Sequence, residues 1–287
     1  MIEYLIGVDG GGTGTRVKLA RTDGVPIAEA TSGPSGLGLG IDKAWASVRD
    51  AVAKAFDAAG LGPCDPARCA IGLGLAGVHN KSWAQAFVAA DPGFARLRLE
   101  NDGYTTLIGA HGGAPGTIVA VGTGSVGQAL RADGSQREVG GWGFPSGDEA
   151  SGGWIGLRAI NHIQKVLDGR HDGSPFAQAL IDACGGGRDA VQVWLGHATQ
   201  TRFATLAPLV VAHAPTDDVA RRILEDAGRE IALHAHALDP TDTLPFALCG
   251  GLGAPLRAYL PAALLARTVT PQGDSASGAL RMIMETR

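Results

Sequence analysis

The sequence predicts an α/β protein of two lobes of related design with a cleft between them, and three observations carry that reading. The chain opens on a strand meander that passes into alternating strands and helices. After a glycine-proline stretch, His111 to Gly116, the same opening begins a second time. The 44 glycines gather in clusters between apolar runs, the pattern of loops converging on a ligand.

The elements follow in order. Tyr4 to Val8, Val17 to Arg21 and Pro26 to Ala30 alternate or run apolar around turn residues and read as the meander. Ile41 to Ala59 sets Trp45, Val48, Val52 and Phe56 at helical spacing. Ala70 to Leu75 is a buried strand, Ser82 to Ala90 a helix, Leu97 to Glu100 a strand and Tyr104 to Ala110 a helix. The second lobe opens on "TIVAVGTGSVGQALRADG", a strand, a glycine turn and a strand. Helices are expected over 149–167, 175–183, 202–213 and 217–238, then the strand "PFALCGG" and a last helix from Asp274 to Met284. The boundaries fall at 1–113 and 114–273, with the C-terminal segment 274–287 completing the first lobe.

Composition removes several function classes. With 45% hydrophobic residues over 287 positions the chain can bury sizeable cores, and a net charge of −4 offers no basic field to nucleic acid or anionic lipid. No segment reads as a membrane span, and Ile2 to Val8 is too short and lacks the basic leader of a signal peptide. Cys64, Cys69, Cys184 and Cys249 form no metal-ligand pattern, so reduced thiols in a cytoplasm are expected. His234 and His236, two apart on a helix, point to different sides and argue against a metal site.

Three explanations compete for the glycines. A Walker P-loop requires a Gly-Lys pair, and the sequence has none. A dinucleotide loop fits "GLGLAG" at Gly72 to Gly77, which follows a strand and precedes Glu100 at the end of the next one. The third is a pair of phosphate-binding hairpins. In "DGGGTGT" the acidic residue ends one strand and the glycines turn into another, so no helix dipole is available. The backbone N–H groups of Gly10, Gly11 and Gly12, with the Thr13 hydroxyl, would face phosphate oxygens, and Asp9 would hold a divalent cation, Mg2+, through water. "AVGTGSVGQAL" supplies a second hairpin through Gly122, Thr123 and Gly124, and two such hairpins would hold one triphosphate.

"GVDGGGTGTRVKLA", "LENDGYTTLIGAH", "VAVGTGSVG", "GGWGFPSGDEASG", "LCGGLG" and "GDSASGAL" resemble, in order, the motifs of the N-acetylglucosamine kinase and glucosamine kinase group. That group lies in the BadF/BadG/BcrA/BcrD-type ATPase branch of the actin-like ATPase and sugar kinase superfamily. The resemblance runs from about residue 6 to residue 281 and implies two ribonuclease-H-like lobes with ATP and a sugar meeting between them. It implies phosphorylation of the 6-hydroxyl of an amino sugar, N-acetylglucosamine first and glucosamine as the alternative. The expected partners are ATP, the sugar and a second copy of the chain, with neither nucleic acid nor membrane.

Phosphoryl transfer to a hydroxyl needs a carboxylate to accept its proton. Asp102, after the strand Leu97 to Glu100, matches the catalytic base of the group; a helix N-cap at Asp102 explains the residue equally well from sequence. The resemblance gives Gly141, Trp142 and Asp148 to the sugar, sets Thr123 near its reacting end and turns Gly250 and Gly251 towards the adenosine. A tight capped loop with Trp142 packed inward, and a plain strand-to-helix turn at Gly250, are the structural alternatives. Relatives carry a sugar-contacting asparagine before the first long helix; here "SGPSGLGLG" offers Ser35 as its substitute. Within the same branch, activator ATPases share an iron–sulfur cluster between subunits, and Cys184 in "DACGGG" is the one cysteine suited to that role.

Overall fold

The computed structural model describes residues 1–285. The chain divides into two compact units, the first comprising 1–116, 130–134 and 270–287, the second 117–129 and 135–269.

In the first unit β1 (Tyr4–Gly10), β2 (Thr15–Arg21) and β3 (Pro26–Ser32) form the antiparallel meander that the turn residues predict. The chain then crosses through α1 (Ile41–Ala58) to β4 (Cys69–Leu75), and through α2 (Lys81–Ala89) to β5 (Arg96–Glu100), before α3 (Asp102–His111). The sheet order is β3-β2-β1-β4-β5, with β4 parallel to both β1 and β5. Successive side chains of a strand face opposite sides, and β1 divides accordingly. Ile6 and Val8 join Trp45, Val48, Val52 and Phe56 of α1, while Leu5 packs with Leu280 and Ile283 of the C-terminal helix, Ser275–Glu285. Every residue of β4 is buried, as expected of a strand covered on both faces. The Trp45 indole stacks on Phe87, centroids 4.2 Å apart, and donates to the Phe87 carbonyl at 2.9 Å, tying α1 to α2.

The glycines inside these elements have a packing cause that the sequence does not disclose. A Cβ on Gly7 would stand 2.2 Å from the Ala276 carbonyl oxygen, and one on Gly72 2.1 Å from that of Ala279. One on Gly74 would strike the Thr105 hydroxyl at 1.9 Å. Gly72 and Gly74 therefore lie within β4, where the C-terminal helix and α3 approach the sheet at backbone distance, and they form no phosphate loop. The dinucleotide reading of "GLGLAG" fails for this reason, and Glu100, its proposed ribose ligand, lies 3.3 Å from the Arg98 guanidinium.

The second unit repeats the plan. β6 (Gly116–Val121) turns through three residues into β7 (Ser125–Leu130), followed by β8 (Gln136–Gly140). Helices α4 (Gly152–Leu167), α5 (Pro175–Ala183), α6 (Gly187–Gly196), α7 (Gln200–Ala204), α8 (Ala207–His213) and α9 (Asp218–Leu238) follow. Then come β9 (Phe246–Cys249), α10 (Gly253–Leu256), α11 (Ala262–Ala266) and β10 (Thr268–Val269). The sheet runs β10-β9-β6-β7-β8, the order of the first sheet read from the other edge. Three expectations change. Helix α4 begins at Gly152 because the Ser151 hydroxyl caps it by accepting from Trp154 N–H; the single helix expected over 202–213 is two, α7 and α8; and α6, α11, β8 and β10 are additions to the expected elements. His234 is buried and His236 exposed, the opposite orientations their spacing requires. No helix of the described residues is long and apolar enough to cross a membrane.

Candidate active site

In the first unit the parallel strands β1, β4 and β5 end at one edge of the sheet, where ligands of α/β proteins gather. Asp9 is the penultimate residue of β1. Between β1 and β2 the chain turns through Gly11 to Gly14, closed by the Gly11 N–H donating to the Gly14 carbonyl at 3.0 Å. Gly12 and Thr13 are exposed, and among the described residues their N–H groups enter no backbone hydrogen bond. A Cβ at Gly11 or Gly12 would meet nothing within 4 Å. This is bare, outward-facing backbone of the kind that can line a phosphate.

Ser35 is corrected by the structure. It is 0% exposed, its backbone N–H donates to the Gly11 carbonyl, and its hydroxyl accepts from the Thr15 hydroxyl at 2.7 Å. A Cβ on Gly10 would fall 2.0 Å from that oxygen. The hydroxyl thus sits beneath the hairpin as a brace, out of reach of a sugar.

Asp102 opens α3, and the cap belongs to its neighbour: the Asn101 side chain accepts from Tyr104 N–H at 2.7 Å. The Asp102 carboxylate accepts from the adjacent Gly103 N–H at 3.0 Å. Burial raises its carboxyl above the ordinary range and the nearby Asp9 charge raises it further, opposed by the Gly103 N–H and by His79. Asp9 is also raised by burial, against the lowering effects of a Ser275 hydrogen bond and the Arg16 charge, while Asp274 adds to the rise. Asp274 behaves oppositely. Despite burial, which pushes it up, the Ser277 hydroxyl and N–H and the Lys18 ammonium at 3.1 Å hold it down to about 2. The edge therefore carries one well-compensated carboxylate beside two whose charges are poorly compensated, and perturbed carboxyls of this kind mark functional sites. "GDSASGAL" contains both Asp274 and Ser275, but nothing in that motif alone says that they flank Asp9.

In the second unit Gly122, Thr123 and Gly124 form the turn from β6 to β7. The start of α4 holds it: Gly152 N–H donates to the Gly122 carbonyl at 2.8 Å, and Gly153 N–H to the Thr123 carbonyl at 3.1 Å. Beside it, Leu252 N–H donates to the Val121 carbonyl at 3.0 Å, which sets Gly250 and Gly251 next to the hairpin. Gly250 has φ +84, and a Cβ there would stand 2.4 Å from the Val121 oxygen, so the turn admits no side chain; Gly251 is exposed and open. The predicted nucleotide residues of this unit share the carboxyl edge of parallel β6 and β9.

The loop after β8 carries the predicted sugar contacts. Gly141 is exposed, and Trp142 stands 85% exposed, which overturns the inward-packed alternative. Asp148 is 6% exposed and adopts left-handed backbone geometry, φ 59. Its carboxylate accepts from Gln200 Nε2, which also donates to the Thr123 carbonyl at 3.1 Å. Gln200, at the start of α7, thus joins the loop to the hairpin. No sequence signal singles it out, because the link depends on how α7 packs beside α4. Cys184, the cysteine suited to a shared cluster, is 4% exposed within the core of this unit. Among the described residues no group of three or more His, Cys, Asp or Glu side chains converges as a metal site.

Residues 6–251 match the BadF/BadG/BcrA/BcrD ATPase family. The chain belongs to that family. This family member is 32% identical over 280 residues to the glucosamine kinase of Vibrio cholerae, covering 97% of this chain and 95% of the relative. It is 29% identical to the N-acetylmuramic acid/N-acetylglucosamine kinase of Clostridium acetobutylicum, with 83% and 79% covered. A crystal structure from Chromobacterium violaceum, of a protein provisionally named an N-acetylglucosamine kinase, superposes with a TM-score of 0.96 at 56% identity, covering 99% of both chains.

Proposed function

We propose that this protein is an ATP-dependent amino-sugar kinase that transfers the γ-phosphoryl group to the 6-hydroxyl of N-acetylglucosamine. The observation that carries the reading is Asp102: a carboxylate relieved of capping by Asn101, at the strand-end edge, with burial and Asp9 favouring its protonated form. Such a group suits the general base, which accepts the hydroxyl proton as the oxygen attacks phosphorus. The amino-sugar kinases among the relatives support the substrate class, and the Vibrio cholerae glucosamine kinase keeps glucosamine as the second candidate.

ATP is the co-substrate. The open backbone of Gly11 to Thr13 and of Gly122, with Thr123 and Gly124 in the same turn, suits its phosphates, and Gly250 and Gly251 suit the nucleoside. Mg2+ fits the donor set. Asp9 is raised by burial and by Asp274, and Asp102 by burial and by Asp9, so a divalent cation held near Asp9 would favour the charged form of both carboxylates. When bound, it would neutralise developing phosphate charge. In the same reading Trp142 offers an aromatic wall to the sugar's C–H face and Asp148 accepts from its hydroxyls. A cytoplasmic dimer of two copies is the expected working form, checked by light scattering on the purified chain.

The deciding experiment is an ATP-coupled assay over hexoses and amino sugars, with and without Mg2+. Mg2+-dependent turnover of N-acetylglucosamine, at higher kcat/KM than glucosamine, is expected. Preference for glucosamine moves the substrate to the alternative, and turnover of no sugar overturns the kinase reading.

A further inference from the structure

Away from the candidate site, at the opposite edge of the first sheet, two thiols lie together. Cys69 is the first residue of β4 and is buried, where its backbone pairs in register with Tyr4. Cys64 lies in the preceding loop, half-buried between exposed Pro63 and Asp65. The single turn Pro66–Arg68 between them is fixed at its start by the Asp65 carboxylate, which accepts from Ala67 N–H at 3.1 Å. That turn folds the chain back so that the two sulfurs stand 3.8 Å apart. A disulfide needs about 2 Å between sulfurs, so forming the bond requires the two sulfurs to close the gap that remains from 3.8 Å.

The pair is also chemically asymmetric. Cys64 is lowered by the hydrogen bond between the two thiols, whereas Cys69 is raised by that same bond and by burial. Cys64 therefore ionises first, and it is the one that small molecules can reach. A reactive thiol beside a resolving one is the arrangement that converts a mixed disulfide into an internal one.

We propose that Cys64 and Cys69 form a reversible oxidation site for low-molecular-weight disulfides of the glutathione class. The Cys64 thiolate attacks one sulfur of the small disulfide, whose S–S bond breaks; a mixed disulfide remains on Cys64 and one small thiolate leaves. The Cys69 sulfur then attacks the Cys64 sulfur and expels the second small thiolate, which takes up the Cys69 proton. The protein loses two electrons and two protons in all, and the small disulfide is reduced to two thiols. The bond ties the 61–68 loop to the start of β4, far along the strand from Leu75 and the ligand edge, so it should raise thermal stability and leave catalysis unchanged.

The test uses the whole chain. After incubation with oxidised glutathione, free thiols are alkylated and the protein is digested with trypsin without reduction. Cleavage after Arg68 separates the two cysteines, so the internal bond appears as two peptides joined through sulfur. The expected result is loss of two of the four thiols, that linked species, and its disappearance with dithiothreitol. Cys69→Ser should instead hold glutathione on Cys64, and Cys64→Ser should leave Cys69 unmodified. Wild-type protein that keeps all four thiols, or that stops at a glutathione adduct on Cys64, overturns the proposal.

Discussion

The two glycine hairpins repeat a plan and differ in what holds them. In the first unit the turn from β1 to β2 is braced from below by the 33–36 loop, with the Ser35 and Gly36 N–H groups donating to the Gly11 carbonyl, while Gly12 and Thr13 project freely. In the second, the N-terminus of α4 binds the turn's carbonyls and Gln200 links it to Asp148. The carboxylates differ in the same way. Asp148 is held by Gln200, whereas Asp9 is raised by burial and by Asp274, and Asp102 by burial and by Asp9. The first unit thus carries two carboxylates raised above their ordinary range, and the second a carboxylate held in place by Gln200. The same sheet order supports opposite electrostatic roles because those roles lie in loops beyond the strand ends.

The largest effect should come from removing the charge on Asp102. Asp102→Asn keeps shape and the Gly103 contact, and turnover should fall about a hundredfold or more with sugar and ATP still binding. The stability effect has a definite sign. A carboxyl raised in the folded state contributes stability that is present below its unfolded value, near 3.8, and lost as pH rises through the raised folded value. At neutral pH the charge therefore weighs against folding, and Asp102→Asn should melt no lower than wild type. Near-normal turnover in this variant would remove the contrast between the units and make Asp148 the next carboxylate to test.

The second unit is probed by Gly124→Ala. Its Cβ would stand 2.8 Å from the Asp148 carboxylate and 3.2 Å from Gln200 Nε2. Displacing that acceptor should raise the KM for sugar roughly tenfold with a smaller change in kcat, since one misplaced polar contact costs about 1–3 kcal/mol. A KM within twofold of wild type would mean that Asp148 does not meet the sugar.

Asn101→Ala separates capping from chemistry. Loss of the Tyr104 contact should cost about 1 kcal/mol of stability, read as a lower urea midpoint at unchanged slope, with activity far above that of Asp102→Asn. If its turnover falls as far as that of Asp102→Asn, the two roles are not separable.

Gly12→Ala should have the smallest effect on folding, within about 0.5 kcal/mol, because nothing lies within 4 Å of the added methyl. The KM for ATP should nevertheless rise several-fold as the methyl enters phosphate space. Unchanged ATP kinetics would show that only the second hairpin serves the nucleotide.

Much of this was legible in the chain itself. The meander, the restart near residue 116, the paired hairpins and the apolar stripe of α1 follow from periodicity and turn chemistry, which are local properties. Asp9 and Asp102 were marked by lying where strands end. Residues joined through tertiary packing were not legible. Gln200 has no distinguishing neighbours in sequence, and Ser35 looked available to a ligand because nothing local shows that Thr15 and Gly10 lie against it. The dinucleotide motif misled for the same reason: glycine spacing is identical whether the missing side chain admits a phosphate or the backbone of the C-terminal helix. Sequence alone determined most of the strands, helices and bare turns, though not α6, α11, β8 or β10, because those preferences act over a few residues. Only the tertiary structure decided which carboxylates are left poorly compensated and which hydroxyl is buried, because solvation and charge pairing depend on neighbours brought together from distant parts of the chain.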